Sequence, residues 1–317
     1  MTARGGIDLG GTKIQAVVVG EDHEVLGQAR RPTPTTGGPQ DVADAMAGAL
    51  GDAAEAAGVR TKALGGVGAG SPGIVDAGAG TVSGARNLPG WEGTFALGDA
   101  LSRALGCRVA LGNDVQVATD AEFALGVGRA YHSLLGVFWG TGVGGGIVLN
   151  DEPWLGRGAA GEIGHVVIER DGLRCPCGRR GCMEAYAGRG ALEIRARKLE
   201  AKGEKTKLFK LMEEHDRPRL TSGIWARALD QGDKLATSLI DEAIAALGVG
   251  VASVVNVLDV EAVVLGGGMG VRFGEPFADR IREAMAPHLF SSDNPPVFEI
   301  AALGDLGGAI GAAMLVA

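Results

Sequence analysis

The sequence predicts an α/β protein built from two related domains that face each other across a cleft. The chain has 317 residues and 46% hydrophobic content, which suggests about two domains with sizeable cores. A plan of three strands, a helix, a strand and a helix occurs twice along the chain. Glycine is abundant, with 55 residues, and several glycine clusters lie between predicted elements, where ligands of such sheets tend to bind.

The first half begins with three consecutive strands, GGIDLGG, TKIQAVVVG and EVLGQARR, which predict an antiparallel arrangement. An amphipathic helix follows, and Gly58 is a typical stop signal. Its apolar face consists of Val42, Ala45, Met46, Ala49, Leu50 and Ala53. A buried strand in ALGGVGAG, a helix over 95–105, the strand RVALGN and a helix over 115–125 complete this half.

The second half repeats this plan with the strands SLLGVFWG and GGGIVLN and a strand around GHVVIE. A helix with an apolar row from Leu235 to Leu258 precedes the strand EAVVLGG. A helix over 275–289, a strand over 297–301 and a helix over 305–316 follow. We interpret the charged segment 193–219 as a solvated helical insertion without chemistry.

Composition and charge argue against several classes of partner. The net charge is −8 and the basic residues are scattered, so we expect no nucleic-acid binding. The longest uncharged stretch, 243–258, is shorter than the roughly 20 residues that cross a bilayer, so we expect no membrane span. The start of the chain has no apolar leader segment, which predicts a cytoplasmic protein.

Two glycine loops, DLGGTK (8–13) and GTGVGGG (140–146), occupy equivalent positions between strands in the two halves. A single loop of this kind is most simply a hairpin turn. Two at equivalent positions favour a pair of backbone nests for phosphate oxygens, with the Thr12 and Thr141 hydroxyls as further donors. A third cluster, LGGGMG (265–270), joins a strand to a helix, where its glycines either accommodate a flat nucleotide moiety or permit tight packing. Together the three loops predict a nucleotide cleft.

Asn113 and Asp114 lie at the junction of a predicted strand and helix. A side chain at this position is often a helix N-cap, and the functional alternative is that Asp114 takes the proton from an attacking hydroxyl. The residues alone leave both open. Glu162, His165 and Glu184 lie close together in the chain and are suited to bind the hydroxyls of a sugar. Asn87 in RNLPGW either joins them or starts a turn at Pro89.

Three of the four cysteines fall within eight positions, ten residues after a histidine. His165, Cys175, Cys177 and Cys182 make a complete tetrahedral ligand set for zinc, and four protein ligands predict a structural site. Redox chemistry is the alternative, and the absence of a C-x-x-C pair disfavours it. A zinc ion on one ring nitrogen of His165 would direct the other nitrogen toward a sugar hydroxyl.

As a set, these residues resemble the ROK family of bacterial sugar kinases and sugar-responsive repressors, in particular its ATP-dependent glucokinases. The resemblance runs over nearly the whole chain, and the zinc segment is its most specific part. It rests on DLGGTK, GSPGIVD, RNLPGW, GNDV, GTGVGGG, GEIGHVVI, CPCGRRGCMEAYAGRGAL and LGGGMG. It implies the actin-like ATPase (ribonuclease H-like) fold, with a small domain over 1–114, joined by a C-terminal helix at 305–317, and a large domain over 115–304.

The resemblance also implies roles for individual residues. Asp114 is expected to be the base that activates the sugar 6-hydroxyl, and Asp8 to help place Mg²⁺. The sugar ligands are expected to be Asn87, Asn113, Asp114, Glu162, His165 and Glu184. The ATP-binding residues are expected to be Asp8, Gly10, Gly11, Thr12, Lys13, Thr141, Gly142, Gly266, Gly267 and Gly268. ATP, Mg²⁺ and structural Zn²⁺ are the implied cofactors, and a homodimer or homotetramer is the implied assembly.

Several alternatives stay open. Only seven residues precede Asp8, so we expect no DNA-binding module of the repressor branch. A non-catalytic sugar sensor would not need Asp114 beside two phosphate nests. Glucose is the favoured acceptor, but mannose, N-acetylglucosamine and N-acetylmannosamine differ from it around only one or two hydroxyls. A polyphosphate donor is mildly disfavoured by the acidic net charge and the complete zinc segment.

Overall fold

The computed structural model describes residues 3–85 and 88–317. The first half contains one five-stranded sheet and one small three-stranded sheet. In chain order its elements are β1 (Arg4–Leu9), β2 (Lys13–Val19), β3 (Val25–Pro32), α1 (Pro39–Ala56), β4 (Val67–Ser71), β5 (Ile74–Asp76), β6 (Thr81–Ser83), β7 (Thr94–Phe95), α2 (Leu97–Leu105), β8 (Val109–Asn113) and α3 (Asp114–Leu125). The strand order of the large sheet is β3-β2-β1-β4-β8.

The second half repeats this topology. Its elements are β9 (Leu134–Trp139), β10 (Val143–Leu149), β11 (Glu152–Pro153), α4 (Met183–Ala187), α5 (Arg189–Glu200), α6 (Leu208–Glu214), α7 (Ser222–Asp230), α8 (Lys234–Leu258), β12 (Ala262–Gly266), α9 (Gly267–Phe273), α10 (Glu275–Met285), β13 (Val297–Ile300) and α11 (Gly307–Met314). The strand order, β11-β10-β9-β12-β13, has the same connectivity as the first sheet. In each sheet the first three strands are antiparallel and the remaining pairs are parallel.

Each half has its own hydrophobic core, and the C-terminal helix packs on the first sheet. The predicted apolar row of α1 is buried in the first core except for Ala45, and that of α8 is largely buried in the second. α11 approaches β1 and β4 so closely that a Cβ on Gly6 would lie 1.9 Å from the carbonyl oxygen of Ala309. A Cβ on Gly68 would lie 1.7 Å from the carbonyl oxygen of Ala312. Glycine is therefore needed on both strands where the helix crosses them.

Two local expectations differ from the structure. The segment GHVVIE is not a strand: a single 3₁₀ turn spans Ile163–His165, and only one isolated bridge, Val167 to Cys182, follows. The C-terminal helix begins at Gly307, after a 3₁₀ turn over Gly304–Leu306. The boundaries at 114/115 and 304/305 between the two predicted domains stay a prediction.

The charged segment 193–219 is not wholly solvated. It contains most of α5 and all of α6, and the side chains of Leu208, Phe209 and Leu211 are buried in the second core. The composition of this segment did not predict the buried face, because its few apolar residues are surrounded by charged ones. A narrow apolar stripe is enough for one face of a helix to be buried.

One helix, α8, is long and apolar enough to cross a bilayer by length and composition. In the structure 61% of its most apolar window is buried inside the protein. Its neighbours there include α4 and α10, as expected for the core helix of a globular domain.

Candidate active site

Two carboxylates meet where the parallel strands of the first sheet end. Asp8 lies near the end of β1, where its partner on β4 is Gly70. Asp114 begins α3 directly after β8, and a Cβ on Gly70 would lie 3.2 Å from the Cα of Asp114. Gly70 lies on β4, between β1 and β8, and because it has no side chain, the start of α3 can approach the edge of the sheet at which Asp8 lies.

The surroundings make both carboxyl groups easier to protonate than usual. Burial raises the pKa of Asp114 to about 7, and the negative charges of Asp8 and Glu162 add to the shift while a backbone hydrogen bond at Val115 opposes it. Burial also raises the pKa of Asp8 to about 6, with Lys13 opposing. Desolvation and like charge both disfavour the ionised form. A carboxyl that titrates near neutral pH in a cleft is suited to accept a proton during catalysis.

Asn113 caps α3, the structural alternative that the sequence had left open. Its Oδ1 accepts hydrogen bonds from the backbone N–H groups of Val115, at 3.0 Å, and Gln116, at 3.1 Å. The carboxylate of Asp114 also accepts from Val115, at 3.0 Å. Capping therefore occupies the Asn113 oxygen, while its amide group keeps two donors for a ligand.

Glu162, His165 and Glu184 lie together beside this edge. Nε2 of His165 is 3.8 Å from Oε2 of Glu162. The charges of His165 and Glu184 both act on Glu162, whose pKa burial raises. Oε2 of Glu184 accepts a hydrogen bond from the backbone N–H of Val143 at 3.0 Å. Because Glu162 interacts with His165 on one side and with Asp114 on the other, the predicted sugar ligands and the predicted base share one site.

The predicted zinc ligands converge. One ligand atom from each of His165, Cys175, Cys177 and Cys182 lies within 4.8 Å of all the others. The three cysteines are free, with the Sγ atoms of Cys177 and Cys182 3.7 Å apart and Nδ1 of His165 3.8 Å from Sγ of Cys175. A tetrahedral zinc with Zn–S bonds of about 2.3 Å has sulfur-sulfur edges of about 3.8 Å, so these spacings fit the ion.

The first glycine loop, residues 10–13, is held at both ends by a buried threonine. The hydroxyl of Thr33 donates to the carbonyl of Gly10 at 2.6 Å, and its backbone N–H donates to the carbonyl of Thr12 at 3.2 Å. Lys13 at the end of this loop forms an ion pair of 2.9 Å with Asp305. The central residues of this turn, Gly11 and Thr12, do not have a positive φ, so the loop is not a tight hairpin turn of the primed type.

The second glycine loop, residues 140–142, contacts the sugar-ligand cluster. A Cβ on Gly142 would lie 2.2 Å from Oε2 of Glu184. On its other side, a Cβ on Gly140 would lie 3.9 Å from the backbone nitrogen of Gly268 in the third glycine cluster. The loop therefore lies between the predicted sugar site and the start of α9.

The three glycines at the start of α9 differ in their surroundings. A Cβ on Gly266 would overlap the ring of Phe138, and Gly267 has a φ of 78° and touches the backbone of Trp139. These two positions need glycine for packing and backbone conformation. A Cβ on Gly268 would meet no atom within 4 Å, so this glycine is the one of the three that faces open space.

Asn87 lies outside the described residues. The sequence reasoning missed Gly308, Thr33 and Arg189, which all contact the predicted nucleotide residues. A Cβ on Gly308 at the start of α11 would lie 2.8 Å from Cγ of Asp8. No local motif marks Thr33 or Gly308, and Arg189, although it lies in CMEAYAGRGAL, was not singled out because its contact with Thr141 joins segments 48 positions apart.

Comparison with known proteins places these features in context. The sequence profile of the ROK family matches residues 4–317. A glucokinase of Thermotoga maritima is 32% identical over 98% of this chain and 96% of its own length. An N-acetyl-D-glucosamine kinase of Escherichia coli is also 32% identical, over 98% of both chains. The structure of a ROK family glucokinase from Streptomyces griseus in complex with glucose and AMPPNP superposes with a TM-score of 0.84, at 32% identity, over 99% of this chain and 98% of that one.

Proposed function

The chain belongs to the ROK family, and from this premise we propose that it is an ATP-dependent hexokinase that converts glucose to glucose 6-phosphate. The actin-like ATPase fold of the family is consistent with one cleft for phosphates and sugar, and the approach of Gly142 to Glu184 and of Gly140 to Gly268 supports this arrangement. The observation that carries the proposal is Asp114, a carboxyl group with a pKa of about 7 between Asp8 and Glu162. Glucose as the acceptor is supported by the glucokinases among the full-length relatives.

Asp114 is proposed to be the general base. The 6-hydroxyl of the sugar attacks the γ-phosphorus of ATP, the bond from the γ-phosphorus to the bridging oxygen breaks, and ADP leaves with that oxygen. The hydroxyl proton passes to the carboxylate of Asp114. A base with a pKa close to the working pH is ionised often enough to accept the proton and basic enough to hold it. Positioning supplies much of the remaining acceleration in phosphoryl transfer.

The sugar is proposed to bind between Asn113, Glu162, His165 and Glu184, together with Asn87. Carboxylate oxygens accept hydrogen bonds from sugar hydroxyls, while the amide of Asn113 donates. This mixture of acceptors and donors recognises adjacent hydroxyls on one ring. Glu184 is held by Val143 of the second glycine loop, which ties the sugar site to the proposed phosphate site.

ATP is proposed to bind across the two strand-strand loops, with Lys13, Thr12 and Thr141 as donors to its phosphates. Asp8 is proposed to help hold Mg²⁺, because two half-buried carboxyl groups with raised pKa values favour a nearby cation. Gln15 pairs with Asp8 across β1 and β2, and its buried Oε1 lacks a donor within the described residues, which suits a metal-bound water. Bound Mg²⁺ would neutralise the phosphate charge that develops during transfer.

Zinc is proposed to have a structural role in the loop that carries His165. With Nδ1 of His165 turned toward the thiolates, its Nε2 is left for the substrate side, where Glu162 lies. Metal binding by three thiolates would fix both the ring orientation and the tautomer. The ion itself would take no part in phosphoryl transfer, since no coordination position stays open.

N-acetylglucosamine is the main alternative acceptor, because a kinase for that sugar is as similar in sequence as the glucokinases. A sensor without catalysis is disfavoured by the environment of Asp114. We further propose a cytoplasmic homodimer or homotetramer.

The test is an ADP-release assay on the purified protein with glucose, mannose, N-acetylglucosamine and N-acetylmannosamine. ATP and inorganic polyphosphate are compared as donors with each sugar. The proposal expects the highest kcat/KM for glucose with ATP. Preference for an N-acetylated sugar would move the assignment to that kinase class, and no turnover with any pair would contradict the enzyme assignment.

A further inference from the structure

Arg189 ties the second glycine loop to the start of α5. Its backbone N–H donates to the carbonyl of Gly140 at 3.1 Å, and the N–H of Gly190 donates to the carbonyl of Thr141 at 2.9 Å. Two backbone hydrogen bonds therefore attach the predicted phosphate loop to the start of α5, a helix of 12 residues.

The guanidinium of Arg189 also holds the side chain of this loop. Nη2 donates to Oγ1 of Thr141 at 2.8 Å, and Nη1 donates to the carbonyl of the buried Leu220, also at 2.8 Å. The backbone N–H of Leu220 is in turn fixed by Glu193 at 3.1 Å. The two anchor points define one position for the planar guanidinium, which a flexible amine could not reproduce.

Within the described residues, no carboxylate lies within ion-pair distance (4.0 Å) of the Arg189 guanidinium, although the negative charge of Glu193 acts on it from farther away. Its guanidinium makes no ion pair, and the nearest acidic residue on its helix, Glu193, pairs with Arg197 instead. Burial lowers the pKa of Arg189, the positive charge of Arg219 adds to this shift, and the negative charge of Glu193 opposes it. A half-buried cation without a carboxylate partner is suited to an anionic ligand.

The hydrogen-bond direction at Thr141 adds a second argument. Because Oγ1 of Thr141 accepts from Arg189, the hydroxyl hydrogen must point away from the guanidinium. Within the described residues this hydroxyl donates to no protein atom. The exposed Thr141 hydroxyl therefore keeps its hydrogen for a bound ligand, in a direction that the arginine restricts.

We propose that Arg189 is a positioning residue for the nucleotide, which orients the Thr141 hydroxyl toward a phosphate oxygen and contributes positive potential at the same place. The inference rests on the proposed ATP-dependent function. It assigns to Arg189 an effect on nucleotide affinity and none on sugar affinity, because its contacts lie on the loop and not on Glu162 or His165.

The experiment measures binding of ADP and of glucose by calorimetry, and KM for ATP and kcat by ADP release. The variants are Arg189→Met, Arg189→Lys, Thr141→Val and the double variant Arg189→Met/Thr141→Val. We expect Arg189→Met to weaken ADP binding about tenfold with glucose affinity unchanged. Arg189→Lys should restore less than half of the lost ADP affinity, measured as the logarithm of Kd. Lysine restores the charge but cannot bond Thr141 and Leu220 at once in the same geometry.

The double variant separates positioning from a purely structural effect. If Arg189 acts through the Thr141 hydroxyl, the two losses are not additive. The Kd of the double variant for ADP should then be at most about twice that of the weaker-binding single variant. Full additivity of the two losses would overturn the inference, as would an Arg189→Met variant with normal ADP affinity. Arg197→Met, on the same helix but paired with Glu193, is the matched control and should bind ADP normally.

Two outcomes distinguish this inference from the proposed function. If the wild-type protein phosphorylates glucose with ATP and the Arg189→Met variant binds ADP as tightly as the wild type, the inference is wrong and the proposed function stands. A wild-type protein that does not bind ADP would end both. If Arg189→Met does not fold, Arg189→Lys and its double variant with Thr141→Val supply the same comparison, and additivity in that cycle counts against the inference.

Discussion

Replacing Asp114 by asparagine is expected to remove phosphorylation and to stabilise the fold at the same time. As the proposed base, Asp114 takes the sugar proton, and losing a general base lowers turnover by about 10²-fold or more. The same carboxyl group is buried close to Asp8, and its raised pKa of about 7 means that folding works against its ionisation. Asparagine is close in size and carries no charge, so it keeps the packing and abolishes this cost.

The cost depends on pH in a way that can be calculated. The native pKa of about 7 lies above the unfolded pKa of about 3.9, so the destabilisation is absent below the unfolded value, grows as pH rises, and is complete above the native value. It amounts to roughly 1–2 kcal/mol at pH 5 and roughly 4 kcal/mol at pH 8. The stability gain of Asp114→Asn should therefore grow by about 2–3 kcal/mol between these two pH values.

Thermal unfolding of both proteins at pH 5 and pH 8, without ligands, measures this growth. The difference in melting temperature between variant and wild type should be about 5 °C larger at pH 8 than at pH 5, since 1 kcal/mol shifts the midpoint of a protein of this size by about 2 °C. A gain that is equal at the two pH values would refute the reasoning about the buried carboxyl group. Near-normal turnover would remove Asp114 from the mechanism.

Asp120 offers a matched control on the same helix. Burial raises its pKa to about 7 as well, although its hydrogen-bond partner is Gln116 and no proposed substrate ligand acts on it. Asp120→Asn should reproduce the pH-dependent stabilisation and keep glucose phosphorylation. Loss of activity in this control would mean that α3 as a whole, and not the Asp114 carboxylate, is what the reaction requires.

Three further outcomes are expected. The kcat/KM for glucose should fall on the acidic side of a midpoint between about pH 6 and 7, because Asp8 and Asp114 must be ionised and titrate as a pair, and a flat profile down to pH 5 would contradict this. Cys177→Ser should lower the zinc content, measured by atomic emission, and weaken glucose binding together; metal loss with unchanged sugar affinity would exclude the proposed aiming of His165. Gly308→Ala should fold but displace the Asp8 carboxylate, reducing activity about tenfold or more and raising the Mg²⁺ concentration needed for half-maximal rate, whereas Gly51→Ala in α1, where a Cβ would meet no atom within 4 Å, should not alter the Mg²⁺ dependence.

Much of the fold could be predicted from short-range patterns. The apolar rows of α1 and α8, the three antiparallel strands of the first half and the first two strands of the second half follow from side-chain periodicity, which depends only on residues near in the chain. The cluster of one histidine and three cysteines was recognisable for the same reason, since its four members lie within the segment from His165 to Cys182.

Other features could not be predicted because they depend on contacts between distant segments. The strand expected around GHVVIE is absent because this segment packs as a turn against the cysteine loop. The sequence could not show that the side-chain oxygen of Asn113 caps α3 by accepting hydrogen bonds from Val115 and Gln116, which leaves only its amide group for a ligand. One face of α6 is buried because it packs against the hydrophobic core of the second half, a contact that the local sequence does not show.

The sequence by itself determined the class of fold, the family and the kinds of side chain available for chemistry, because local periodicity and motif spacing are properties of the chain. Only the tertiary structure decided how these groups act on one another. Asp8 and Asp114 are 106 positions apart in the chain, yet their carboxyl groups interact across Gly70. Arg189 reaches Thr141 from another helix. Burial and charge are properties of a neighbourhood in space, so pKa values and hydrogen-bond directions exist only once the two halves have folded.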